Sequence, residues 1–157
     1  MSIGERLLSF EQLAVFDLIR VAPVLAVMAV AAFQDAKTGQ ASNKLWLYTP
    51  FGTLLTLVEL WLMPILWLPI LLSGIMACGL VFAAYKLNGM GGADVKAVIM
   101  ISLCTPTVCF MGHISTVPLT MLLIGGLTGT AYGLYKKQRI LRFLPFLFIG
   151  LLISIAV

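Results

Sequence analysis

The chain has 157 residues, 61% of them hydrophobic and only 10% charged, and its mean hydropathy of +1.08 lies far outside the range of soluble globular domains. Ten Lys and Arg against six Asp and Glu leave a net charge of +4, but the basic residues are not interleaved with aromatics as on a nucleic-acid surface, so no nucleic-acid partner is expected. The composition predicts an all-α polytopic membrane protein, because apolar segments recur at about the 20-residue length a helix needs to cross a bilayer and no alternating barrel-strand pattern is present.

Residues 1–15 are predicted to be an interfacial segment. Over 3–20 the residues Ile3, Leu7, Leu8, Phe10, Leu13 and Phe16 mix with Glu5, Arg6, Glu11, Asp17 and Arg20, which suits an amphipathic helix at the membrane surface feeding the first span. Met1 to Gln12 lack the basic start, apolar core and cleavage site of a signal peptide, so insertion is expected to rely on that span. The first span is predicted near 16–34, with Pro23 tolerated close to its start, and it ends at Asp35. A polar connection follows, in which Gly39 suits a left-handed turn and Asn43 an N-cap.

The second span is predicted near 45–63 and the third near 64–85, opened by Pro64, with so short a bend that the two helices must be antiparallel neighbours. Next comes Asn88-Gly89-Met90-Gly91-Gly92-Ala93-Asp94-Val95-Lys96, a glycine-rich turn that ends in an acid set against an apolar run. The fourth span is predicted near 95–111, kinked at Pro106. A link without Lys or Arg leads to the fifth span, near 118–135, where Gly125, Gly129 and Gly133 form a smooth stripe for close helix approach. A basic hinge over 136–142 leads to the sixth span, near 140–157. The whole chain thus reads as one six-span bundle.

Positive residues stay on the cytoplasmic side of a membrane. Lys37, Lys44, Lys86, Lys96, Lys136, Lys137, Arg139 and Arg142 all follow the first, third or fifth span, whereas Arg6 and Arg20 precede the first. The chain is therefore expected in the cell membrane as a multi-pass protein with both termini outside. Its basic surface is expected to attract anionic lipid.

In this orientation Asp35 closes the first span and Asp94 opens the fourth, at the same depth on the cytoplasmic side. Asp94 alone reads equally as a helix cap. Asp35 faces the negative end of its helix dipole, which leaves a solvated loop acid as its structural alternative. Two carboxylates held close at a low-dielectric boundary do not both ionise readily, so one holds a proton while the other activates water. That is aspartic-protease chemistry, with Asp35 and Asp94 as the candidate catalytic residues and no metal or cofactor expected. Gly91 and Gly92 allow a tight turn and leave room for an extended substrate beside Asp94.

Asp35 with Lys37, Gly39 and Asn43, and Gly91-Gly92-Ala93-Asp94-Val95-Lys96, carry a resemblance to a known family. The chain resembles the type IV prepilin peptidases and archaeal preflagellin peptidases, membrane aspartic proteases of the GxGD class that also includes presenilin and signal peptide peptidase. Ala93 departs from the GxGD box, an alanine form that also occurs in the archaeal branch. The resemblance implies catalysis by Asp35 and Asp94, with Gly91, Gly92, Ala93, Lys96 and Asn43 shaping the site or binding substrate. It implies cleavage, at the cytoplasmic face, of prepilin-like or preflagellin precursors that carry a short basic leader before an N-terminal hydrophobic helix. Bifunctional members carry an insert with paired CxxC motifs and also methylate the new N-terminus. Here Cys78, Cys104 and Cys109 all lie in apolar runs as small packing residues, so methyltransferase activity is not expected.

Glu59, beside Trp61, reads as a snorkelling, hydrated acid near the outer interface rather than an intramembrane site. His113 has no ligand partner in its neighbourhood. Trp46, Trp61, Trp67, Tyr48, Tyr85 and Tyr135 read as interfacial belt residues. Lys96 suits an interfacial anchor or an electrostatic bias on the acid pair. Two rival readings use the same residues: a small proton- or cation-coupled transporter subunit, and a structural assembly subunit in which the acids are helix caps.

Overall fold

The computed structural model describes residues 10–62, 67–87, 90–110, 113–136 and 142–156. Outside them fall residues 1–9 of the expected interfacial segment, Pro64, Asn88, Gly89, Lys137, Arg139 and the link at 111–112. The architecture is all-α apart from one small hairpin. Six α-helices run in the order α1 (Phe10–Thr38), α2 (Thr49–Leu62), α3 (Trp67–Lys86), α4 (Gly92–Cys104), α5 (Val117–Lys136) and α6 (Leu144–Ala156). A 3₁₀ helix, Asn43–Tyr48, precedes α2, and two antiparallel strands, β1 (Val108–Phe110) and β2 (His113–Ser115), join α4 to α5.

Within two of these helices the segments Val15–Thr38 and Trp67–Lys86 are long and apolar enough to cross a membrane, while Val117–Tyr132 and Leu144–Ala156 are shorter apolar helices. The large apolar residues divide by position rather than by type. Met28, Met100, Ile101, Met121, Leu144, Leu147 and Leu151 are fully buried, whereas Leu54, Trp61, Leu68, Ile75, Phe82, Leu123 and Leu127 stand on the outside.

α1 is one continuous helix from Phe10, so the residues expected to lie along the membrane surface belong in part to it. Pro23 consequently stands in the helix interior rather than near its start. It leaves the carbonyl one turn earlier without its usual donor.

α4 shows the largest departure from the sequence pattern. It ends at Cys104 instead of continuing through a kink at Pro106 to residue 111. Thr105 takes a non-helical conformation (φ −140°, ψ 57°), because the residue before a proline is crowded out of the helical region and the proline itself has no N–H to continue the ladder. The β-branched Thr107 and Val108 then enter the hairpin, which packs against α1.

The core gathers inward-facing residues of α1, α3, α4, α5 and α6. α5 and α6 cross closely at glycine. A methyl group at Gly150 would meet the Met121 carbonyl at 2.5 Å and the Gly125 backbone nitrogen at 2.9 Å, and one at Gly125 would meet the Phe146 carbonyl at 2.9 Å. The first member of the predicted glycine stripe therefore serves α6.

Candidate active site

α1 and α4 present their acids from opposite ends. Asp35 lies in the last turn of α1, and Asp94 is the third residue of α4. Asp35 is 7% exposed and Asp94 5%, and the charge on Asp35 acts directly on Asp94. The structure thus brings together two acids that topology alone had placed at one level.

The chain leaves α1 through a hydrogen-bonded turn. The Gly39 N–H donates to the Asp35 carbonyl at 2.8 Å, with Gly39 in the left-handed region at φ 75° as its position in the sequence predicts. The Thr38 hydroxyl donates to the Gln34 carbonyl at 2.8 Å, and the Gln34 side-chain oxygen accepts from the Ser42 N–H at 3.0 Å. Every one of these bonds fixes the backbone on either side of Asp35. Its Oδ2, by contrast, is buried without a hydrogen-bond partner among the described residues.

Asp94 is anchored differently. Its Oδ2 accepts from the Gly91 N–H at 2.9 Å, so the side chain reaches back over the first turn and caps the helix. The helix-cap reading of Asp94 is met by this rotamer. Burial pushes its carboxyl up, the Gly91 N–H draws it down and the neighbouring Asp35 charge pushes it up again, to about 6.

The glycines divide the work. Gly91 is the N-cap residue in extended backbone, and a methyl group there would stand 3.3 Å from Asp94 Oδ2. Gly92 opens the helix with nothing within 4 Å of its Cβ position, so it borders open space. Ala93 follows in helical backbone and packs, half-buried, against the core. Its position needs no positive φ and no close backbone approach, which is the physical reason alanine is accommodated in place of glycine.

Lys96 and Asn43 meet as well. Lys96 Nζ donates to Asn43 Oδ1 at 2.6 Å, tying the 3₁₀ helix to α4 two residues beyond Asp94. Asn43 is thereby diverted from the N-cap role its position suggests. Ser42 takes that role, its hydroxyl accepting from the Lys44 N–H.

One charged group escaped the motif reading. The Arg142 guanidinium donates to the Ala36 carbonyl and lies 3.6 to 3.8 Å from the Cβ position of Gly39, against the end of α1 that carries Asp35. The available signal was dipolar: Arg142 stands immediately before the N-terminus of α6, where a cation is disfavoured unless another group engages it.

Glu59 and Arg20 overturn the expectation of interfacial hydration. Glu59 is 1% exposed and Arg20 0%. One guanidinium nitrogen pairs with Glu59, and the other pairs with Asp17 and donates to the Thr107 carbonyl. The cluster joins α1, α2 and the α4–β1 connection, at the opposite end of α4 from Asp94. Arg20 therefore does not act as an outer-loop charge. Among the described residues no group of His, Cys, Asp and Glu is arranged to hold a metal ion.

These features define a helical protein with two helices long and apolar enough to cross a membrane and two buried acids at helix ends, the charge of one acting on the other. Residues 23–134 match the model of the type IV leader peptidase family, which includes both acids, and the chain belongs to that family. No curated relative and no solved structure matches it.

Proposed function

We propose that the chain is a membrane aspartic endopeptidase that removes the short basic leader of prepilin-like or preflagellin precursors, with Asp35 and Asp94 as the catalytic pair. The observation that carries this reading is the coupling of two buried carboxylates from the ends of α1 and α4. Family membership supports the substrate class.

In the reaction, the pair holds one proton and one negative charge. The ionised carboxylate takes a proton from a water molecule as its oxygen attacks the scissile carbonyl carbon, and the protonated acid donates to the carbonyl oxygen. The tetrahedral intermediate collapses with transfer of a proton to the departing amine, and the pair returns to its singly protonated state. Because the two groups share these steps, the apparent pKa values belong to the pair.

Six membrane spans are the topology we assign. The two long apolar helices, the shorter apolar helices α5 and α6, and the outward-facing Leu, Ile, Phe and Trp side chains support it. Basic residues concentrated after α1, after α3 and around the α5–α6 connection support a cytoplasmic position for the aspartate pair. With Arg20 buried in an ion cluster, the positive charge on the other side shrinks further. Both acids stand at helix ends rather than in broken mid-membrane helices, which favours hydrolysis over ion transport.

The test is cleavage of a co-expressed precursor carrying a basic leader and an N-terminal hydrophobic helix. Asp35→Asn and Asp94→Asn should each abolish cleavage while the protein still inserts. Asparagine at 94 retains an oxygen to accept from the Gly91 N–H, so the cap survives. Undiminished cleavage by Asp94→Asn refutes the assignment.

A further inference from the structure

We propose that Arg142 is a positioning residue for the aspartate pair: its guanidinium neutralises the carbonyl end of α1 and so allows Asp35 to share the pair's single negative charge. The inference rests on the protease reading for its functional meaning, and on geometry for its substance.

A carboxylate in the last turn of a helix meets the negative end of the dipole, where unsatisfied carbonyls accumulate. Asp35 occupies that turn, is buried, and has one oxygen without a hydrogen-bond partner. Nothing in α1 itself offsets this cost, since Lys37 is exposed and points from a different face, two residues on. Arg142 offsets it from outside the helix. It donates to the carbonyl of Ala36, the residue after Asp35, and its guanidinium lies in van der Waals range of the Gly39 Cβ position. Its charge acts on Asp35 against the effect of burial.

The charged groups around Asp35 can be named element by element. α4 contributes Asp94, which disfavours a second negative charge. Lys44 on the 3₁₀ helix is exposed, and Lys96 on α4 is engaged with Asn43. Arg142 enters from the segment before α6 and is the cation whose charge is felt at Asp35. Arg142, just ahead of α6, thereby ties the start of that helix to the end of α1.

The experiment is the pH profile of kcat/KM for cleavage of the model precursor by wild type, Arg142→Gln and Arg142→Lys. Loss of the cation should move the acidic limb of Arg142→Gln upward by about one pH unit, roughly a tenfold loss of activity below the limb, with little change at its optimum. Arg142→Lys should hold the limb near its wild-type position. An unmoved limb in Arg142→Gln with a uniformly lowered kcat indicates a merely structural role and overturns the proposal, as does a lysine variant that behaves like glutamine. Arg142→Met, which keeps the apolar stem, takes the place of Arg142→Gln if the latter does not fold. A second arm needs no substrate. In Asp94→Asn protein, the infrared carboxyl band of Asp35, assigned by difference against Asp35→Asn/Asp94→Asn, should titrate at higher pH when Arg142→Gln is added. Equal midpoints overturn the proposal, and this arm decides it even if wild type fails to cleave, the result that would sink the protease reading instead.

Discussion

Arg20 on α1 is buried against Glu59 on α2, and its second guanidinium nitrogen engages Asp17 and the Thr107 carbonyl. Two acids and one guanidinium withdrawn together are costly to assemble and more costly to break, because removing one partner strands the others. Arg20→Ala or Glu59→Ala should therefore destabilise the protein by about 3–5 kcal/mol. Replacing Arg20 and Glu59 together by Met and Leu should cost much less than the sum, a double-mutant cycle readable by thermal unfolding in detergent.

Asp94 links stability to pH in an uncommon direction. Its carboxyl is raised from 3.8 to about 6 in the folded protein, chiefly by burial and then, against the Gly91 hydrogen bond, by the Asp35 charge. The folded chain thus holds this proton more tightly than the unfolded chain. Its contribution to stability is complete below about pH 4, declines as pH rises to about 6, and is flat above, a loss of roughly 3 kcal/mol. Asp94→Asn should raise the melting temperature at pH 8 and leave it nearly unchanged at pH 4. For the proposed reaction, the basic limb of kcat/KM should fall near pH 6, as the second proton leaves the pair.

The two adjoining glycines should respond oppositely to alanine. Gly91→Ala introduces a methyl 3.3 Å from Asp94 Oδ2 in a backbone conformation alanine accepts. It should reduce cleavage about tenfold or more by displacing the carboxylate, with little loss of stability. Gly92→Ala meets nothing within 4 Å and occupies the first helical position. It should fold at least as well as wild type, since alanine loses less backbone entropy, and a loss of cleavage there would report crowding of substrate. Parallel kinetic and melting measurements separate the pair.

At the α5–α6 crossing, Gly150→Ala drives a methyl to 2.5 Å from the Met121 carbonyl, a backbone atom that cannot swing aside. Overpacking of this kind should cost about 1–3 kcal/mol. Gly126→Ala, on the facing helix α5 and with nothing within 4 Å, is the control and should be close to neutral.

Much of this was legible in the chain itself. Six helical segments follow from apolar runs, and Gly39 from its place after a helix. The family resemblance carried by Asp35 and by Gly91 to Lys96 agrees with the family match. What escaped had specific physical causes. The hydrophobicity of residues 95–111 hides the break at Cys104, because β-branched and apolar residues suit a buried hairpin as well as a helix. Glu59 looked hydrated because its neutralising partner, Arg20, is 39 residues away and itself looked interfacial. Arg142 was read as one more topogenic charge; its contact with Ala36 depends on how α6 returns to α1, which no local pattern encodes.

The early end of α4 bears on bilayer thickness. Thirteen residues at a rise of about 1.5 Å extend roughly 20 Å, about 10 Å less than the hydrocarbon of an ordinary membrane. Asp94 sits at one end of this short rod and the polar Thr105 to Thr107 segment at the other, so a bilayer that meets α4 has to thin or admit water beside it. For the proposed membrane protease, such a mismatch would shorten the path by which water reaches the aspartates.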